Sequence, residues 1–261
     1  MWNSLNFAFN YLLYFFTSGT KHSVHSPFVY DFVVNVLNKR KDKPQYHAIE
    51  LIRSNLLKTE AEIEMIDFGA KSNGQKTKKK VKDIAKSSSK SAKYAELLER
   101  ICFYYQPQIA LELGTSLGIS TLYQSIGIQN GQLITIEGNS KSSEIALYNA
   151  QKLELQNIQF VTGEFDKALP HILPQLPQLD YVFFDGNHTL EATLTYFEWC
   201  LEKSHNNSIF VFDDIRWSND MNLAWNKICN HPQVTVTIDL YAMGIVFFRH
   251  EQVKESFTLR F

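Results

Sequence analysis

From about residue 94 onward, short runs of apolar residues alternate with longer stretches in which apolar positions follow a helical period. The runs are rich in Ile, Val and Phe, and polar residues or glycines bound them. Such runs are typical of parallel strands buried on both faces, and intervening stretches of roughly 10–15 residues are typical of crossover helices. Strands are predicted at 109–113, 132–136, 158–161, 181–184 and 209–212, and helices around 142–153, 190–202 and 222–229.

The last two apolar runs, at 234–240 and 244–248, are separated by only a few residues. A parallel connection needs about a dozen residues or more, so these two strands are predicted to form an antiparallel hairpin. The pattern therefore indicates an α/β fold with five parallel strands followed by a hairpin. Open sheets of this kind bind ligands at the carboxyl ends of their strands, so the residues that end each run are the candidates for chemistry.

A glycine-containing segment, ELGTSLGIST at 112–121, follows the first predicted strand. Glycines allow the chain to turn sharply and let a ligand approach the main chain closely. The spacing differs from the GxGxxG pattern of dinucleotide sites, because Glu112 stands two residues before Gly114 and the next glycine is Gly118. A carboxylate here favours a cationic ligand such as an amine or a sulfonium. The candidate binding residues are Glu112, Gly114, Thr115, Ser116 and Gly118.

The second and third strands also end in acidic and glycine residues. Glu137 ends the second strand and is followed by Gly138. An acidic residue at that position, 23 residues after Gly114, can accept hydrogen bonds from both ribose hydroxyls of a nucleoside. Taken singly, each feature has an alternative interpretation as a turn glycine or a solvated acid, but their order at successive strand ends favours a binding site. After the third strand the candidates are Gly163, Glu164 and Phe165.

Residues 94–249 resemble the class I S-adenosylmethionine-dependent methyltransferases, and within them the catechol and caffeoyl-CoA O-methyltransferase-like branch. The resemblance is sharpest at ELGTSLGIST and is supported by IEGN, DYVFFDGNH and FVFDDIRWS. It implies a Rossmann-like, seven-stranded sheet of order 3-2-1-4-5-7-6, with strand 7 antiparallel and helices on both faces. The predicted organisation is an N-terminal helical extension at 1–93 and a methyltransferase domain at 94–261.

The resemblance also implies a cofactor, S-adenosyl-L-methionine. Gly114, Ser116 and Gly118 would line it, and Glu137 would hold its ribose. Glu164 and Phe165 would border the adenine. The full set of predicted cofactor-binding residues is Glu112, Gly114, Thr115, Ser116, Gly118, Glu137, Gly138, Gly163, Glu164, Phe165, Asp185 and His188.

Three aspartates end the fourth and fifth predicted strands: Asp185, Asp213 and Asp214. In metal-dependent members of the branch, residues at these positions hold Mg²⁺, which prefers oxygen ligands. This sequence departs from that pattern, because Asp214 stands where those enzymes have Asn. The alternative is that Asp213 or Asp214 caps the helix that follows. Both interpretations stay open, and a divalent cation is an expected but optional cofactor.

His188 and Asp214 are the predicted catalytic residues. His188 lies three residues after Asp185, where the catechol enzymes carry a catalytic lysine. An imidazole is suited to removing a hydroxyl proton at neutral pH, although a histidine here can instead contact the cofactor or serve the structure. Trp217 is either an aromatic wall for a planar substrate or a core residue.

The predicted function is transfer of a methyl group from S-adenosylmethionine to a hydroxyl of a small molecule, with Mg²⁺ assistance as an option. One alternative is an RNA or protein methyltransferase, since nine lysines share residues 71–93 with a single acidic residue, Asp83. That segment is predicted to be a loop or a solvated helix edge. Another alternative is a binding module that keeps the fold and cofactor without turnover.

Composition limits the partners. The chain has 261 residues, with 26 Lys and Arg against 27 Asp and Glu, which argues against a general nucleic-acid binder. Cys102, Cys200 and Cys229 stand far apart, as expected for reduced thiols in a cytoplasmic protein.

The first sixteen residues carry seven aromatic side chains and no charge. The segment is too short and too often interrupted by polar residues to span a bilayer, and it lacks the features of a signal peptide. It is interpreted as a helix packed on its own domain or as the interface of a homodimer, with membrane-surface contact as a third option. Ser26-Pro27 predicts the start of a second helix, and His22 before it is interpreted as a turn residue.

Overall fold

A computed structural model describes residues 4–39, 42–66 and 76–261, apart from the side chains of residues 4–10, 66 and 76. Two compact units are present. The terminal unit comprises Met1–Asn38 and Leu176–Phe261, and the middle unit comprises Lys39–Gln175. Each unit contains a sheet and helices, so the predicted α/β class is confirmed.

The helices and strands are numbered along the described part of the chain. The helices are α1 Ser4–Thr17, α2 Pro27–Phe32, α3 Pro44–Leu56, α4 Val81–Ser88, α5 Ala92–Tyr105, α6 Ile119–Gly127, α7 Ser140–Lys152, α8 Phe165–Ile172, α9 Leu190–Leu201 and α10 Asn219–Asn230. The strands are β1 Glu62–Ile66, β2 Lys76–Lys80, β3 Ile109–Leu113, β4 Gln132–Glu137, β5 Ile158–Thr162, β6 Tyr181–Phe184, β7 Ile209–Phe212, β8 Val236–Asp239, β9 Gly244–Phe247 and β10 Glu255–Thr258.

In the middle unit, β4 pairs in parallel with β3 on one side and with β5 on the other. Their carboxyl ends therefore share one edge. Helix α3 presents a stripe of buried residues at helical spacing, and the same core takes in residues of α4, α5 and α6. Tyr123 of α6 packs its ring 5.2 Å from that of Tyr46 in α3. The packed helices fix the start of α6, and with it the loop that follows β3.

The lysine-rich segment is ordered where the structure describes it, and this corrects the loop interpretation. Residues 76–80 form β2, which pairs antiparallel with β1 and places Glu62 opposite Lys80 and Glu64 opposite Lys78. Opposite charges at facing positions stabilise such a pair. Helix α4 follows with Val81 and Ile84 buried on one face, while Asp83 and Lys86 are exposed, so its outer face matches the predicted solvated helix edge. Residues 71–75 lie outside the described part.

In the terminal unit, β6 pairs in parallel with β7, while β9 is antiparallel to both β7 and β8. The last two predicted strands thus form the expected hairpin. A further strand, β10, pairs in parallel with β8 and was not predicted. Its residues alternate between half-buried and exposed, so the continuous apolar signal that marks the other strands is missing. The carboxyl ends of β6, β7, β8 and β10 consequently lie at one edge.

Helix α2 begins as predicted, with the Ser26 hydroxyl accepting a hydrogen bond from the Val29 amide and proline at the first helical position. It ends earlier than the apolar pattern indicates and continues as a π-helical turn, Val33–Leu37.

Helix α1 buries little of its described side-chain surface. Tyr14 is buried, and its hydroxyl donates to the Leu259 carbonyl. Leu12, Leu13 and Phe16 are 54, 55 and 76% exposed. A helix packed wholly on its own domain therefore does not describe these positions. Within the described part of the chain, every helix is too short or too polar to cross a membrane.

Candidate functional site

The loop after β3 has an unusual backbone. Gly114 and Gly118 have φ of 107° and 90°, and Ser116, which is not a glycine, has φ of 47°. A Cβ on Gly118 would also lie 2.9 Å from the Ala146 Cβ of α7. Left-handed conformations at non-glycine residues are strained by about 1–3 kcal/mol and cluster at functional sites. Ser116 is such a residue, and it lies three residues after the end of β3.

Glu112 is fully buried, and its carboxylate accepts hydrogen bonds from four side chains. The donors are Ser120, Thr121 and Gln124 of α6 and Thr135 of β4, at 2.5–2.7 Å. The carboxylate thus holds α6 and β4 against β3. Its place is inside the protein, in contrast to the direct ligand contact that the sequence analysis expects of it.

Thr115 is also buried, and its hydroxyl lies 2.5 Å from that of Thr135. Its side chain therefore belongs to the same internal network as Glu112, so any ligand contact at this position falls to the backbone.

Glu137 ends β4 and connects two loops. One carboxylate oxygen accepts a hydrogen bond from the Ser116 amide at 2.7 Å, and the other accepts one from the Asn139 amide at 2.8 Å. The side chain is half-buried. The two amides fix the orientation of this carboxylate at the end of the strand. Gly138 lies in the short turn between Glu137 and Asn139.

After β5, Glu164 precedes the first residue of α8, Phe165. The Glu164 carboxylate accepts a hydrogen bond from Lys167 at 2.7 Å, and Phe165 is half-buried. A Cβ on Gly163 would meet only the Ala168 Cβ, at 3.9 Å. These residues lie at the predicted edge of the sheet. A side chain at position 163 would fit, so the local packing does not require glycine there.

Two residues at this edge were not predicted from the sequence. Asn139 caps α7, because its side-chain oxygen accepts a hydrogen bond from the Ser142 amide. Its side-chain NH2 donates to the Glu64 carbonyl of β1. Ser88, at the end of α4, has its hydroxyl 2.7 Å from that of Ser116. An Asn before a helix is a recognisable cap signal. The Ser88 contact spans 28 residues, and no local pattern indicates it.

In the terminal unit, His188 lies between two carboxylates. Its Nε2 is 3.8 Å from an Asp185 oxygen and 3.9 Å from an Asp214 oxygen. These distances are too long for hydrogen bonds but short enough for electrostatic interaction. All three side chains are partly exposed. Asn187 and Asp214 have φ of 50° and 53°, so left-handed residues follow both strands.

Neither Asp213 nor Asp214 caps α10, and the helix-cap alternative is therefore wrong. The cap is Ser218, whose hydroxyl accepts a hydrogen bond from the Met221 amide. Asp213 is 1% exposed.

The three predicted metal ligands end adjacent strands as expected, but they do not form a cluster that could hold a metal ion. Among the residues that the structure describes, no three His, Cys, Asp or Glu side chains lie close enough together to hold a metal ion. The donor set as arranged does not fit a divalent cation.

Arg216 fixes the loop that carries Asp214. Its guanidinium pairs with both oxygens of Asp239 at 2.5 Å and donates to the Tyr241 carbonyl at 3.0 Å. Trp217 is 66% exposed, so its interpretation as a core residue is wrong.

The structure resembles those of several solved proteins. An O-methyltransferase from Bacillus cereus, solved with S-adenosylhomocysteine, has a TM-score of 0.59 and 18% identity over 84% of this chain and 97% of that chain. The O-methyltransferase TomG from Streptomyces achromogenes, solved with S-adenosylmethionine, has a TM-score of 0.57 and 17% identity over 84% and 95%. The methyltransferase PaMTH1 from Podospora anserina, bound to S-adenosylhomocysteine, has a TM-score of 0.60 and 13% identity over 87% of this chain and 97% of that chain. At these identities the likeness shows the fold.

A family model described as a methyltransferase domain matches residues 111–215. Residues 111–215 are therefore similar to a methyltransferase domain. The resemblance stated from the sequence is thereby confirmed for the domain and the fold. The comparison with curated proteins gives no match.

The matched part of the methyltransferase domain runs from β3 to the residue after Asp214. It therefore includes every predicted cofactor-binding, catalytic and metal-binding residue, from Glu112 to Asp214.

Proposed function

We propose that this protein is an S-adenosylmethionine-dependent O-methyltransferase that acts on a hydroxyl of a small molecule. When bound, S-adenosylmethionine would supply its methyl group to a substrate oxygen, with cleavage of its carbon–sulfur bond and release of S-adenosylhomocysteine. The hydroxyl proton passes to His188. Holding the nucleophile and the methyl group in line can contribute about 7–11 kcal/mol to such a reaction. The observation that carries the proposal is Glu137, whose half-buried carboxylate stands at the end of β4 and is oriented by two backbone amides, one of them from the loop after β3.

In this proposal the middle unit holds the cofactor. Glu137 binds the ribose, the backbone of 114–118 approaches the cofactor closely, and Gly163 to Phe165 border the adenine. Glu112 acts as a positioning residue, because its hydrogen bonds hold the helix after the loop. The three structural neighbours with S-adenosylmethionine or its product support this cofactor.

His188 is proposed as the base. When its ring accepts the substrate proton, the imidazolium lies 3.8 and 3.9 Å from the Asp185 and Asp214 carboxylates, and both stabilise its positive charge. We propose that Asp214 takes part in catalysis by this electrostatic stabilisation of the imidazolium. A general base of this kind accelerates a reaction by about 10²–10⁴-fold.

Calorimetry with S-adenosylhomocysteine and methyl-donor consumption with a panel of catechols test the proposal. Wild-type protein is expected to bind the product and to turn over at least one catechol. The H188A variant should bind the product as wild type does, with kcat lower by about 10²–10⁴-fold. The H250A variant, at an exposed position after β9, is the matched control. Absence of product binding by wild type would remove the basis of the assignment.

A metal-assisted reaction is the second candidate, supported by the three aspartates at adjacent strand ends. Since they do not form a cluster that could hold a metal ion, we propose that turnover is independent of a divalent cation. The catechol assay is expected to give equal rates with EDTA and with added Mg²⁺. A rate abolished by EDTA and restored by Mg²⁺ would replace the proposed mechanism with the metal-assisted one.

An RNA or protein acceptor has less support. Lys80 and Lys82 both pair with Glu60, and Lys78 faces Glu64, so part of the positive charge of this segment is already neutralised. A non-catalytic binding module is the remaining alternative, and the catechol panel tests it directly.

We also propose a homodimer formed through α1, supported by the exposure of Leu12, Leu13 and Phe16. The division into an extension at 1–93 and a methyltransferase domain at 94–261 stays a prediction, as does a cytoplasmic location.

A further inference from the structure

A cavity of 330 Å³ lies in the terminal unit, apart from the loops that carry Asp185, His188 and Asp214. The segment after α1, the π-helical turn and the residues that follow β10 form its walls. Its volume falls at the lower end of the roughly 300–1,000 Å³ range typical of small-molecule sites. The proposed methyl transfer does not use it.

The rim of the cavity is cationic. Lys21 and Arg260 carry the positive charge. They and His22 line the cavity and are exposed, and none of the described residues that line it is acidic. Arg260 is held in place, because its guanidinium donates to the Phe15 carbonyl at 2.6 Å and stacks 4.2 Å from the centre of the Phe15 ring. Thr20 adds a hydroxyl. Cations and a hydroxyl that converge without a competing carboxylate favour an anionic group.

The floor of the cavity is apolar. Val33, Leu37 and Leu259 are each about 2% exposed and line it. An apolar floor below a cationic rim suits a ligand with two parts, because an apolar stem takes its own surface out of water against the floor while the anionic end stays at the rim.

The cavity is separate from the proposed catalytic residues. Arg260 follows β10, whereas His188 follows β6, and three strands lie between those two. With neighbouring strands about 4.8 Å apart, the two places are roughly 19 Å apart across the sheet edge. A ligand in the cavity therefore occupies a second site.

We propose that this cavity binds a small carboxylate on an aliphatic stem. The carboxylate lies against Lys21 and Arg260, and the stem covers Leu37 and Leu259. The site is independent of the cofactor, so the proposal does not depend on the methyl-transfer assignment.

An NMR titration of the full chain with octanoate, 1-octanol and inorganic phosphate tests this. Octanoate is expected to bind with a Kd of about 1 mM or lower and to shift resonances around the cavity. Octanol lacks the charge and phosphate lacks the stem, so each is expected to bind at least about tenfold more weakly. Equal binding of octanol, tighter binding of phosphate, or no binding of octanoate would overturn the proposal.

Charge variants at exposed positions locate the site. The double variant K21Q/R260Q is expected to weaken octanoate binding at least about tenfold and to leave S-adenosylhomocysteine binding unchanged. The K227E variant, on the exposed face of α10, is the matched charge control and should bind octanoate as wild type does. Equal weakening by both variants would assign the effect to net charge and reject the cavity as the site. Octanoate binding does not depend on the proposed function. Only the measurement of S-adenosylhomocysteine binding tests that function, so the two proposals can fail separately.

Discussion

At the residue scale, two glutamates near the ends of neighbouring strands have different tasks. Glu112 is enclosed by four side-chain donors and has no exposed surface. Glu137 is half-buried and is fixed by two backbone amides. The same chemical group is therefore internal in one case and partly exposed in the other, and the two carboxylates differ in the donors that surround them.

Substitution of Glu137 tests its proposed role. The E137A variant removes the acceptors for two ribose hydroxyls, each bond being worth about 1.5–3 kcal/mol, so the Kd for S-adenosylhomocysteine should rise at least about tenfold. The E137Q variant keeps one acceptor oxygen and should show a smaller loss. Calorimetry measures both. The control is E144A, at an exposed position on α7 that pairs with Lys141. A change below about twofold for E137A would contradict the ribose role.

At the element scale, a buried acid ties α3 to α5. Glu99 is 0% exposed and accepts hydrogen bonds from Lys43 and from the Tyr46 hydroxyl, both at 2.5 Å. Burial, with the neighbouring Glu99 carboxylate, raises the pKa of Tyr46, so this phenol stays protonated and donates throughout the neutral range. The two helices help to form the core that supports the loop after β3. The stability of that core thus depends on Glu99 and on the two side chains that donate to it.

Removal of one partner is expected to be costly. The E99A variant leaves a lysine and a phenol without their acceptor and should lower the free energy of unfolding by about 3 kcal/mol. The Y46F variant removes one hydrogen bond to a charged group and should lower it by about 1.5 kcal/mol. Urea unfolding measures both, with E144A expected within about 0.5 kcal/mol of wild type. If the E99A and E144A variants had the same free energy of unfolding, the hydrogen bonds of Glu99 would not contribute to stability.

At the scale of the whole molecule, the exposed aromatic and aliphatic residues concentrate on α1. Leu12 and Phe16 stand four residues apart and therefore share a face of the helix. Exposed apolar surface of this kind marks interaction sites.

The described cysteines are not placed to react with solvent. Cys102 and Cys200 are buried, and burial raises the pKa of the Cys229 thiol to about 12. These thiols are poor nucleophiles in the folded protein.

The proposed homodimer predicts that mass measurement by light scattering after gel filtration gives twice the chain mass of 30.2 kDa. The F16E variant should shift the protein to the monomer, because a charge placed in an apolar interface loses its hydration without gaining a partner. The Y148E variant, at a position 57% exposed on α7, should stay dimeric. A monomeric wild type would end the dimer proposal.

The sequence by itself determined the main strands and the places where chemistry is proposed. Strands β3, β6 and β7 have the predicted bounds. Burial on both faces leaves a continuous apolar run, and this signal is local. The turn residues after each run are equally local, so the sequence marks the loops at the strand ends as candidate binding sites.

Only the tertiary structure decided which groups those residues meet. The donors of Glu112 lie 8–23 residues away from it, and the Ser88 hydroxyl reaches Ser116 across 28 residues. The edge strand β10 depends on pairing with β8, and the cationic cavity joins residues near both ends of the chain. Such contacts depend on how distant segments pack, and a sequence pattern that extends over a few residues carries no record of them.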